Sequence, residues 1–401
     1  MDGTSATAVR QGVVAACVIS FAAGWTLTNI GAIPDETAAA YGVSLATVGL
    51  FTTALFITHT ALQVPSGRAC DRFGSRRIGM IGAAIMAAGA ALALPAPDLV
   101  WGLAGRLLAG VGTASAFIAG SAYVRSIGGS AFAQGMYGGI GVAAAGVALA
   151  IVPLLEPSLG WRAPHWSAIA ASLVALLLLA AAPVDVGHLN LSQTRAAGVL
   201  RDRRLYRLAV LFAVTFGLSI VIGNWVVEIL QRQTGVGNAE AGAIGSLTLL
   251  LGVFSRPFGG WLLHRHPQIL RVSLGISVAA GALGTVMIML AGPLWLAVVG
   301  ATLLGLGGGI SFSPAFTGAA MVRPDAPGSA VGFVNGSAAL TVLIATPLVG
   351  LTFSLPGDGR IGFGVIAALW LVALVLLPRS RSLGVPESSG VAGSPRVEPG
   401  Q

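Results

Sequence analysis

The sequence contains no lysine and few charged residues of any kind. Only 9% of its 401 residues are charged and 55% are hydrophobic, whereas a soluble domain usually carries about 25% charged residues. A soluble chain of this length would also divide into domains with polar surfaces, because one hydrophobic core stops growing at about 250–300 residues. This composition argues against an ordinary soluble protein and favours a lipid bilayer as the solvent.

Cysteine is almost absent. Cys17 lies in the first apolar run and Cys70 in a polar segment predicted to be a loop, so neither a disulfide nor a metal site is predicted. The chain also lacks a phosphate-binding glycine loop, a zinc-type pair of histidines and a serine–histidine–aspartate arrangement. We therefore expect no metal, no cofactor and no catalytic centre, and the protein is not predicted to be an enzyme.

Twelve apolar runs are long enough to cross a bilayer. A spanning helix needs about 20 apolar residues to cross about 30 Å of hydrocarbon, and backbone groups in lipid must be paired within their own segment. The alternating ten-residue strands of a membrane barrel are absent. The predicted fold class is therefore all-α integral membrane, with twelve transmembrane helices. The predicted spans are 12–33, 44–66, 78–95, 99–123, 131–155, 164–183, 206–230, 241–263, 272–291, 293–316, 328–353 and 361–378.

The distribution of arginine predicts the orientation. With the amino terminus inside, Arg162, Arg232 and Arg360 fall outside and Arg106 and Arg256 fall within spans, which leaves 17 of the 22 basic residues on the cytoplasmic side. This asymmetry follows the positive-inside rule and predicts a multi-pass protein of the cell (inner) membrane with both termini cytoplasmic. Attraction to anionic lipid explains the net charge of +8, so no nucleic-acid partner is predicted.

The two halves of the chain repeat each other at an offset near 193 residues. Gly67 and Arg72 align with Gly260 and Arg265, and the run Gly110, Gly112, Phe117 echoes Gly305, Gly307, Phe312. Such repeats predict two pseudo-symmetric six-helix bundles with the solute site between them. The predicted divisions are an N-terminal bundle (1–183), a cytoplasmic linker (184–205), a C-terminal bundle (206–378) and a disordered cytoplasmic tail (379–401).

The segment from Gly67 to Arg77 resembles motif A of the major facilitator superfamily. It reads Gly-Arg-Ala-Cys-Asp-Arg-Phe-Gly-Ser-Arg-Arg, and an alanine replaces the usual leucine of that motif. The resemblance implies the superfamily's fold and a cytoplasmic latch that favours the outward-open state. The carboxylate can face a positive helix end or a cationic side chain. The residues implied for this latch are Gly67, Asp71, Arg72, Gly74, Arg76 and Arg77.

Arg106, with the glycines that follow it, resembles motif B of the same superfamily. A charge in the hydrocarbon costs about 2.5–3.5 kcal/mol, so Arg106 is expected to face the bundle interior. Its role is either functional, to attract an anion or to tune proton transfer, or structural, to form hydrogen bonds to facing carbonyls. Motif C of drug–proton antiporters ends in Gly-Pro, whereas this chain has Val152-Pro153, which disfavours drug efflux.

Arg256 in the eighth span and Gln63 in the second occupy symmetric positions. This pair resembles the nitrate/nitrite-porter and cyanate-transporter-like branch of the superfamily. In nitrate/nitrite porters both positions are arginines that grip the anion. A guanidinium binds an oxyanion through two parallel hydrogen bonds, and one arginine opposite an amide suits a carboxylate, cyanate or another small monoanion as well as nitrate. Snorkelling is the alternative, although Arg256 lies about 12 Å from its helix end.

Several polar residues are candidates to line the same cavity. His59 shares a helix face with Gln63 and can carry a coupling proton; the alternative is a histidine satisfied by packing. The other candidates are Asn29, Asn224, Trp225 and Asn335, each of which can instead be a structural hydrogen-bonding or interfacial residue. No acidic residue lies near the centre of any span, so the cavity is predicted to be electropositive.

The leading functional hypothesis is secondary active transport of a small organic or inorganic anion by alternating access. A drug or metabolite exporter that works by proton antiport is one alternative, and a non-transporting receptor with the same fold is another. We expect a small-molecule substrate, with a proton or a counter-anion as the coupling ion, carried by a monomer in the lipid bilayer.

Overall fold

The computed structural model describes residues 3–185, 198–378 and 383, and every regular element among them is helical. The helices of the N-terminal part are α1 (Gly3–Thr28), α2 (Pro34–Tyr41), α3 (Leu45–Ala61), α4 (Gln63–Phe73), α5 (Ser75–Leu92), α6 (Leu99–Ser126), α7 (Ala131–Leu159) and α8 (Ala163–Ala181). Those of the C-terminal part are α9 (Arg203–Phe212), α10 (Ser219–Thr234), α11 (Asn238–Leu250), α12 (Gly252–Arg265), α13 (Pro267–Met289), α14 (Leu294–Ile310), α15 (Phe312–Val322), α16 (Pro327–Leu351) and α17 (Arg360–Val375).

Each of the twelve predicted spans contains a helix, although length and apolarity alone return a lower count. Among the described residues, eight helical segments are long and apolar enough to cross a membrane, or nine if the bent pair α3–α4 is one span. The segment Ala131–Ala181 holds two predicted spans, α7 and α8, joined by a short 3-10 turn at Gly160–Arg162. Helix α5 and the shorter α17 occupy the third and twelfth predicted spans.

The outer surface of the helices carries large apolar side chains. Leu154, Phe254 and Val375 are 73%, 69% and 85% exposed. Burying apolar area is worth about 25 cal/mol per Å², so a surface of this kind is unfavourable in water and favourable against acyl chains. The surface therefore fits a multi-pass membrane protein.

The motif segment from Gly67 to Arg77 is not the loop that the sequence predicts. It is helical except at Gly74, because α4 continues through Phe73 and α5 begins at Ser75. Gly74 has a φ of +88°, a conformation that glycine adopts without a steric penalty, so a single residue makes the turn. Cys70 is accordingly buried within α4 rather than placed in a loop.

The predicted linker and tail fall largely outside the described residues, which include only 184–185 and 198–205 of the linker and Leu383 of the tail. The first C-terminal helix, α9, begins at Arg203, before the predicted start of the seventh span at 206. The Asp202 carboxylate caps this helix by accepting a 3.0 Å hydrogen bond from the backbone N–H of Arg204. An aspartate is among the favoured residues at an N-cap.

Two helix pairs make the most extensive contacts between the N-terminal helices and the C-terminal helices. We refer to α4 against α16 as the first interface and to α7 against α12 as the second interface. Both depend on glycine: a Cβ atom at Gly67 would overlap the carbonyl of Gly328, and one at Gly260 would overlap the carbonyl of Ala131. Small residues allow helix backbones to touch in this way.

Candidate functional site

Arg256 is buried at the second interface without a counter-ion. It is 3% exposed, and no carboxylate in the described part of the chain lies within ion-pair distance of it. Its Nη1 donates a 2.7 Å hydrogen bond to the carbonyl of Gly138 on α7. Its guanidinium carbon lies 4.6 Å from the ring centres of both Phe216 and Phe312. Aromatic faces attract a desolvated cation but do not neutralise its charge.

A small cavity opens beside Arg256, with room for about one or two water molecules. Hydroxyl groups and glycines form much of its wall, so that it offers polar atoms and little bulk. The residues that line it are Arg256, Val142, Thr215, Phe216, Ser219, Thr248, Leu249, Gly252, Gly305, Gly308 and Gly309. Three glycines of the tenth predicted span thus line this cavity.

A π-helical turn, Ala213–Leu218, connects α9 and α10 and presents two cavity residues, Thr215 and Phe216. Such turns are uncommon and occur frequently at functional sites. No sequence pattern predicts this turn, because the apolar run from 206 to 230 is typical of an uninterrupted α-helix.

Gln63 belongs to a buried hydrogen-bond chain at the first interface. Its Oε1 accepts a 2.8 Å bond from Nδ2 of Asn335, and its Nε2 lies 2.8 Å from Nε2 of His59. The other nitrogen of His59, Nδ1, is 3.0 Å from the hydroxyl of Thr113. We call Asn335, Gln63, His59 and Thr113 the His59 chain. It joins three predicted site residues and crosses from α16 to the N-terminal helices.

Six aromatic rings form a cluster beside Arg256. None of the residues predicted for the site belongs to this cluster. Phe312 and Phe316 meet edge to face at 4.5 Å, and Phe117 lies 6.5 Å from Phe312. The remaining members are Tyr137, Phe212 and Phe216. Phe117 and Phe312 occupy corresponding places in the internal repeat, so the repeat was the available signal. Among the described residues, no hydrogen bond links the symmetric pair Gln63 and Arg256.

Arg106 and Asn29 lie together but away from Arg256. Nη1 of Arg106 donates to the carbonyl of Thr26 at 2.9 Å and to Oδ1 of Asn29 at 3.3 Å, and its Nε donates to the carbonyl of Phe51 at 3.3 Å. Asn29 in turn donates to the carbonyl of Pro164 at 2.7 Å. Arg106 therefore ties together the ends of several N-terminal helices, as the structural alternative expects.

Asn224 and Trp225 are also separate from the cavity beside Arg256. Asn224 is exposed, and its Nδ2 lies 3.3 Å from the hydroxyl of Thr346. Trp225 donates a 2.8 Å bond to the carbonyl of Thr346 and packs against Phe353 at 5.2 Å. Both side chains thus connect α10 to α16 within the C-terminal helices.

Asp71 closes one end of the first interface. Its carboxylate accepts hydrogen bonds from the backbone N–H groups of Gly328 (2.7 Å) and Ser329 (2.9 Å) and from the hydroxyl of Ser329 (2.8 Å). These N–H groups belong to the first turn of α16, which has no capping side chain of its own at Ala326. A carboxylate favours the positive end of a helix, so Asp71 caps a helix of the opposite half.

The arginines of the motif take different places. Arg76 donates from Nε to the carbonyl of Leu179 (2.7 Å) and from Nη2 to that of Ala180, at the last turn of α8, where a cation is favoured. Arg72 and Arg77 are exposed, and Arg72 lies 5.0 Å from the centre of the Phe73 ring. Asp71 of the motif thus bonds across the first interface, whereas Arg76 bonds within the N-terminal helices.

Comparison with known proteins agrees with this architecture. A sequence model described as Major Facilitator Superfamily matches residues 14–283 and 207–398. The probable nitrate transporter NarT of Staphylococcus epidermidis is 21% identical over 251 residues, which cover 61% of this chain and 63% of that protein. The 2-nitroimidazole transporter of Escherichia coli is 28% identical over 260 residues, which cover 62% and 64%. The chain thus aligns with less than two thirds of the length of these two relatives.

The fold has close structural counterparts. A crystal structure of the transporter FucP in the outward conformation superposes with a TM-score of 0.74 at 15% sequence identity, covering 92% of this chain and 98% of that chain. At this level of identity the likeness establishes the arrangement of the helices alone.

Proposed function

Because the chain belongs to the Major Facilitator Superfamily, a family of membrane transporters rather than enzymes, we propose that it moves a small monoanion by alternating access, with Arg256 as the anchor for the anion. The two six-helix bundles (1–183 and 206–378) are the moving units of this proposal. Both termini lie in the cytoplasm of the cell, as the arginine distribution favours.

The observation that carries the proposal is the incomplete bonding of Arg256. A guanidinium has five N–H donors, and among the described residues one nitrogen of Arg256 has a hydrogen-bond partner, the carbonyl of Gly138. An uncompensated buried charge is costly. A bound anion would supply the missing charge and accept charge-assisted hydrogen bonds. The small adjoining cavity suits an ion of a few atoms better than a drug-sized molecule.

The names of the relatives support a ligand that carries two oxygens on one planar centre. Two of them carry names that refer to nitrate and to 2-nitroimidazole. Nitrate, a nitro group and a carboxylate each present two oxygens on one planar centre, which matches the fork of a guanidinium. Since Gln63 is neutral and engaged with Asn335 and His59, a single arginine faces the anion. This favours a monoanion over a dianion.

The test is anion binding by purified, monodisperse Arg256 variants. Nitrate, nitrite, cyanate, formate, acetate and 2-nitroimidazole serve as the panel, with hydrophobic cations for comparison. Arg256→Lys keeps the charge but loses the fork, so the affinity for the bound anion should fall by about 1.5–3 kcal/mol, or roughly 10- to 150-fold. Arg256→Gln should abolish saturable anion binding while the protein stays folded.

Arg162→Gln is the matched control. Arg162 also donates to a carbonyl, that of Leu94, and lies 4.5 Å from an aromatic ring, that of Trp161, but it lines no part of the cavity beside Arg256. It should bind anions as wild type does. Wild-type affinity in Arg256→Gln would refute the anchor role. Binding of the hydrophobic cations with no anion bound would favour the drug-exporter alternative.

A further inference from the structure

Arg106 is a second buried cation without a counter-ion. It is 5% exposed, and no ion pair joins it to a carboxylate among residues 3–185 and 198–378. Three of its five N–H groups are satisfied by Thr26, Asn29 and Phe51. Nη2, which carries the other two, is buried without a hydrogen-bond partner. The helix contacts therefore leave one edge of the guanidinium unbonded and its charge uncompensated.

Arg106 lines a cavity with room for about one water molecule. Glycine and alanine form most of the wall, and the other lining residues are polar. The lining residues are Thr26, Asn29, Gly89, Ala90, Ala93, Gly102, Gly105, Arg106, Ala109, His165 and Ala168. They come from α1, α5, α6 and α8 and from the residues directly after α1 and α5. This cavity lies within the N-terminal helices and shares no lining residue with the cavity beside Arg256.

His165 adds a second hydrogen-bond donor to the wall. It is 4% exposed, packs edge to face against Trp161 at 5.9 Å, and makes no hydrogen bond within the part of the chain that the structure describes. A neutral imidazole carries one N–H donor. The hydroxyl of Thr26 already donates to the carbonyl of Ala22 at 2.8 Å, and no carboxylate lines the cavity. The unused donors of Arg106 and His165 can therefore both bond to one small anion.

We infer that this cavity binds a single halide ion, chloride under ordinary conditions, as the counter-ion of Arg106. One monatomic anion matches the one positive charge, whereas a water molecule would fill the space without neutralising it. A chloride ion is slightly larger than a water molecule, and polyatomic anions such as nitrate exceed the space. The halide site is independent of the anion transport proposed above, because the two cavities have separate walls.

Occupancy of this site should stabilise the N-terminal helices. Arg106 bonds from α6 to carbonyls of α1 and α3, and a counter-ion lowers the electrostatic cost of keeping it there. A ligand that binds only the folded state stabilises that state in proportion to the logarithm of its concentration above the Kd. Halide binding is therefore measurable as a rise in the Tm.

The test is thermal unfolding of the purified wild-type protein in detergent. Sodium chloride or sodium bromide replaces sodium gluconate at constant ionic strength, and gluconate is the reference because it is too large for the cavity. The Tm should rise by about 2–5 °C for each tenfold increase in halide concentration above the Kd. Arg106→Gln removes the charge and should abolish this rise.

Arg256→Gln is the matched control. Arg256 is the other buried arginine among the described residues, and it lines the other cavity. A halide could also bind there as a substitute for the substrate anion. Arg256→Gln should keep the halide-dependent rise in Tm, which would separate the halide site from the proposed substrate cavity.

Ala168→Leu decides the question should Arg106→Gln fail to fold. Ala168 is 1% exposed in α8 and lines the cavity, so the larger side chain takes the space of the halide and leaves Arg106 unchanged. Ala175→Leu is its control, because Ala175 is equally buried in the same helix but does not line the cavity. Both leucines should lower the Tm in gluconate, and only Ala168→Leu should lose the halide-dependent rise.

Three results would overturn the halide site. The first is a wild-type Tm that does not respond to chloride or bromide. The second is a rise that survives both Arg106→Gln and Ala168→Leu. The third is a crystal soaked in bromide that shows the anomalous signal of bromine beside Arg256 and none beside Arg106. Each of these leaves the anion-transport proposal standing, because that proposal is tested by the binding of polyatomic anions at Arg256.

Discussion

At both interfaces between the halves, a glycine allows two helix backbones to touch. The two interfaces differ in the side-chain hydrogen bonds that pass from one half to the other. At the first interface the Asp71 carboxylate caps α16 and the Asn335 amide bonds to Gln63. At the second, Arg256 donates to a carbonyl of α7, while the first turn of α7 is capped by its own Ser130, whose hydroxyl accepts from the N–H of Ala133 at 3.2 Å.

This difference assigns separate tasks to two symmetric places. The first interface is held by hydrogen bonds that break when α4 and α16 separate, so its chemistry depends on the conformational state. The second interface holds a buried cation, Arg256. Under the proposed function, the close helix contact is present at both interfaces, the gate belongs to the first interface and the anion anchor belongs to the second.

The largest effect should come from adding one methyl group to either contact. Gly67→Ala and Gly260→Ala each place a Cβ atom against a carbonyl of the opposite half, which should cost about 1–3 kcal/mol of stability. Thermal unfolding in detergent measures the loss. The control Gly242→Ala lies in α11 with no atom near its Cβ position and should stabilise by about 0.5–1 kcal/mol. If Gly260→Ala were as stable as wild type and Gly67→Ala were not, the second interface would accommodate a methyl group that the first interface does not.

An intermediate effect is expected from Asp71→Asn, which keeps an acceptor oxygen but removes the charge at the start of α16. The closed first interface should weaken by about 0.5–2 kcal/mol, and turnover should fall more than anion affinity. Parallel transport and binding assays measure the two quantities. Ser130→Ala removes the local cap of α7 and should lower stability by a similar amount with turnover unchanged. Normal turnover in Asp71→Asn would remove the gating role.

The smallest effect concerns the surface beside the first interface. The hydrogen-bonded Arg204, whose Nη2 lies 2.7 Å from the Asp202 carboxylate, lowers the pKa of Asp202 below its ordinary value. Its stabilisation is therefore present above the unfolded pKa of about 3.9 and lost as the pH falls through the lower folded value. For an exposed pair it is worth below about 1 kcal/mol. Asp202→Asn should abolish this loss of stability below about pH 4, which thermal unfolding at a series of pH values measures. An unchanged acid profile in Asp202→Asn would show that the pair contributes nothing to stability.

The sequence predicted the helices well because lipid imposes a simple rule on their length and composition. Gly67, Asp71 and Arg76 were singled out by the resemblance to motif A, and the structure places Asp71 at a positive helix end. The gating role, the two-bundle division and the substrate-binding roles stay predictions. The superfamily membership that the motifs suggested is confirmed.

The grouping of the candidate residues was less accessible to sequence. Arg106, Asn29, Asn224 and Trp225 share polarity and span depth with Gln63, but they face other helices, and no periodicity tells which neighbour a face meets. The order of the His59 chain depends on side-chain rotation in four helices. The aromatic cluster escaped notice because single phenylalanines in apolar runs resemble ordinary packing residues.

The π turn at Ala213–Leu218 has a consequence for how this family can change. Such a turn holds about one residue more than an α turn, so removing one residue would restore a regular α-helix and leave the flanking helices nearly in place. The side chains of the turn itself, Phe216 among them, would then be repositioned against the guanidinium of Arg256 without any substitution elsewhere in the cavity. Insertion or deletion of a single residue, rather than exchange of side chains, is thus a short evolutionary route to a new ligand preference.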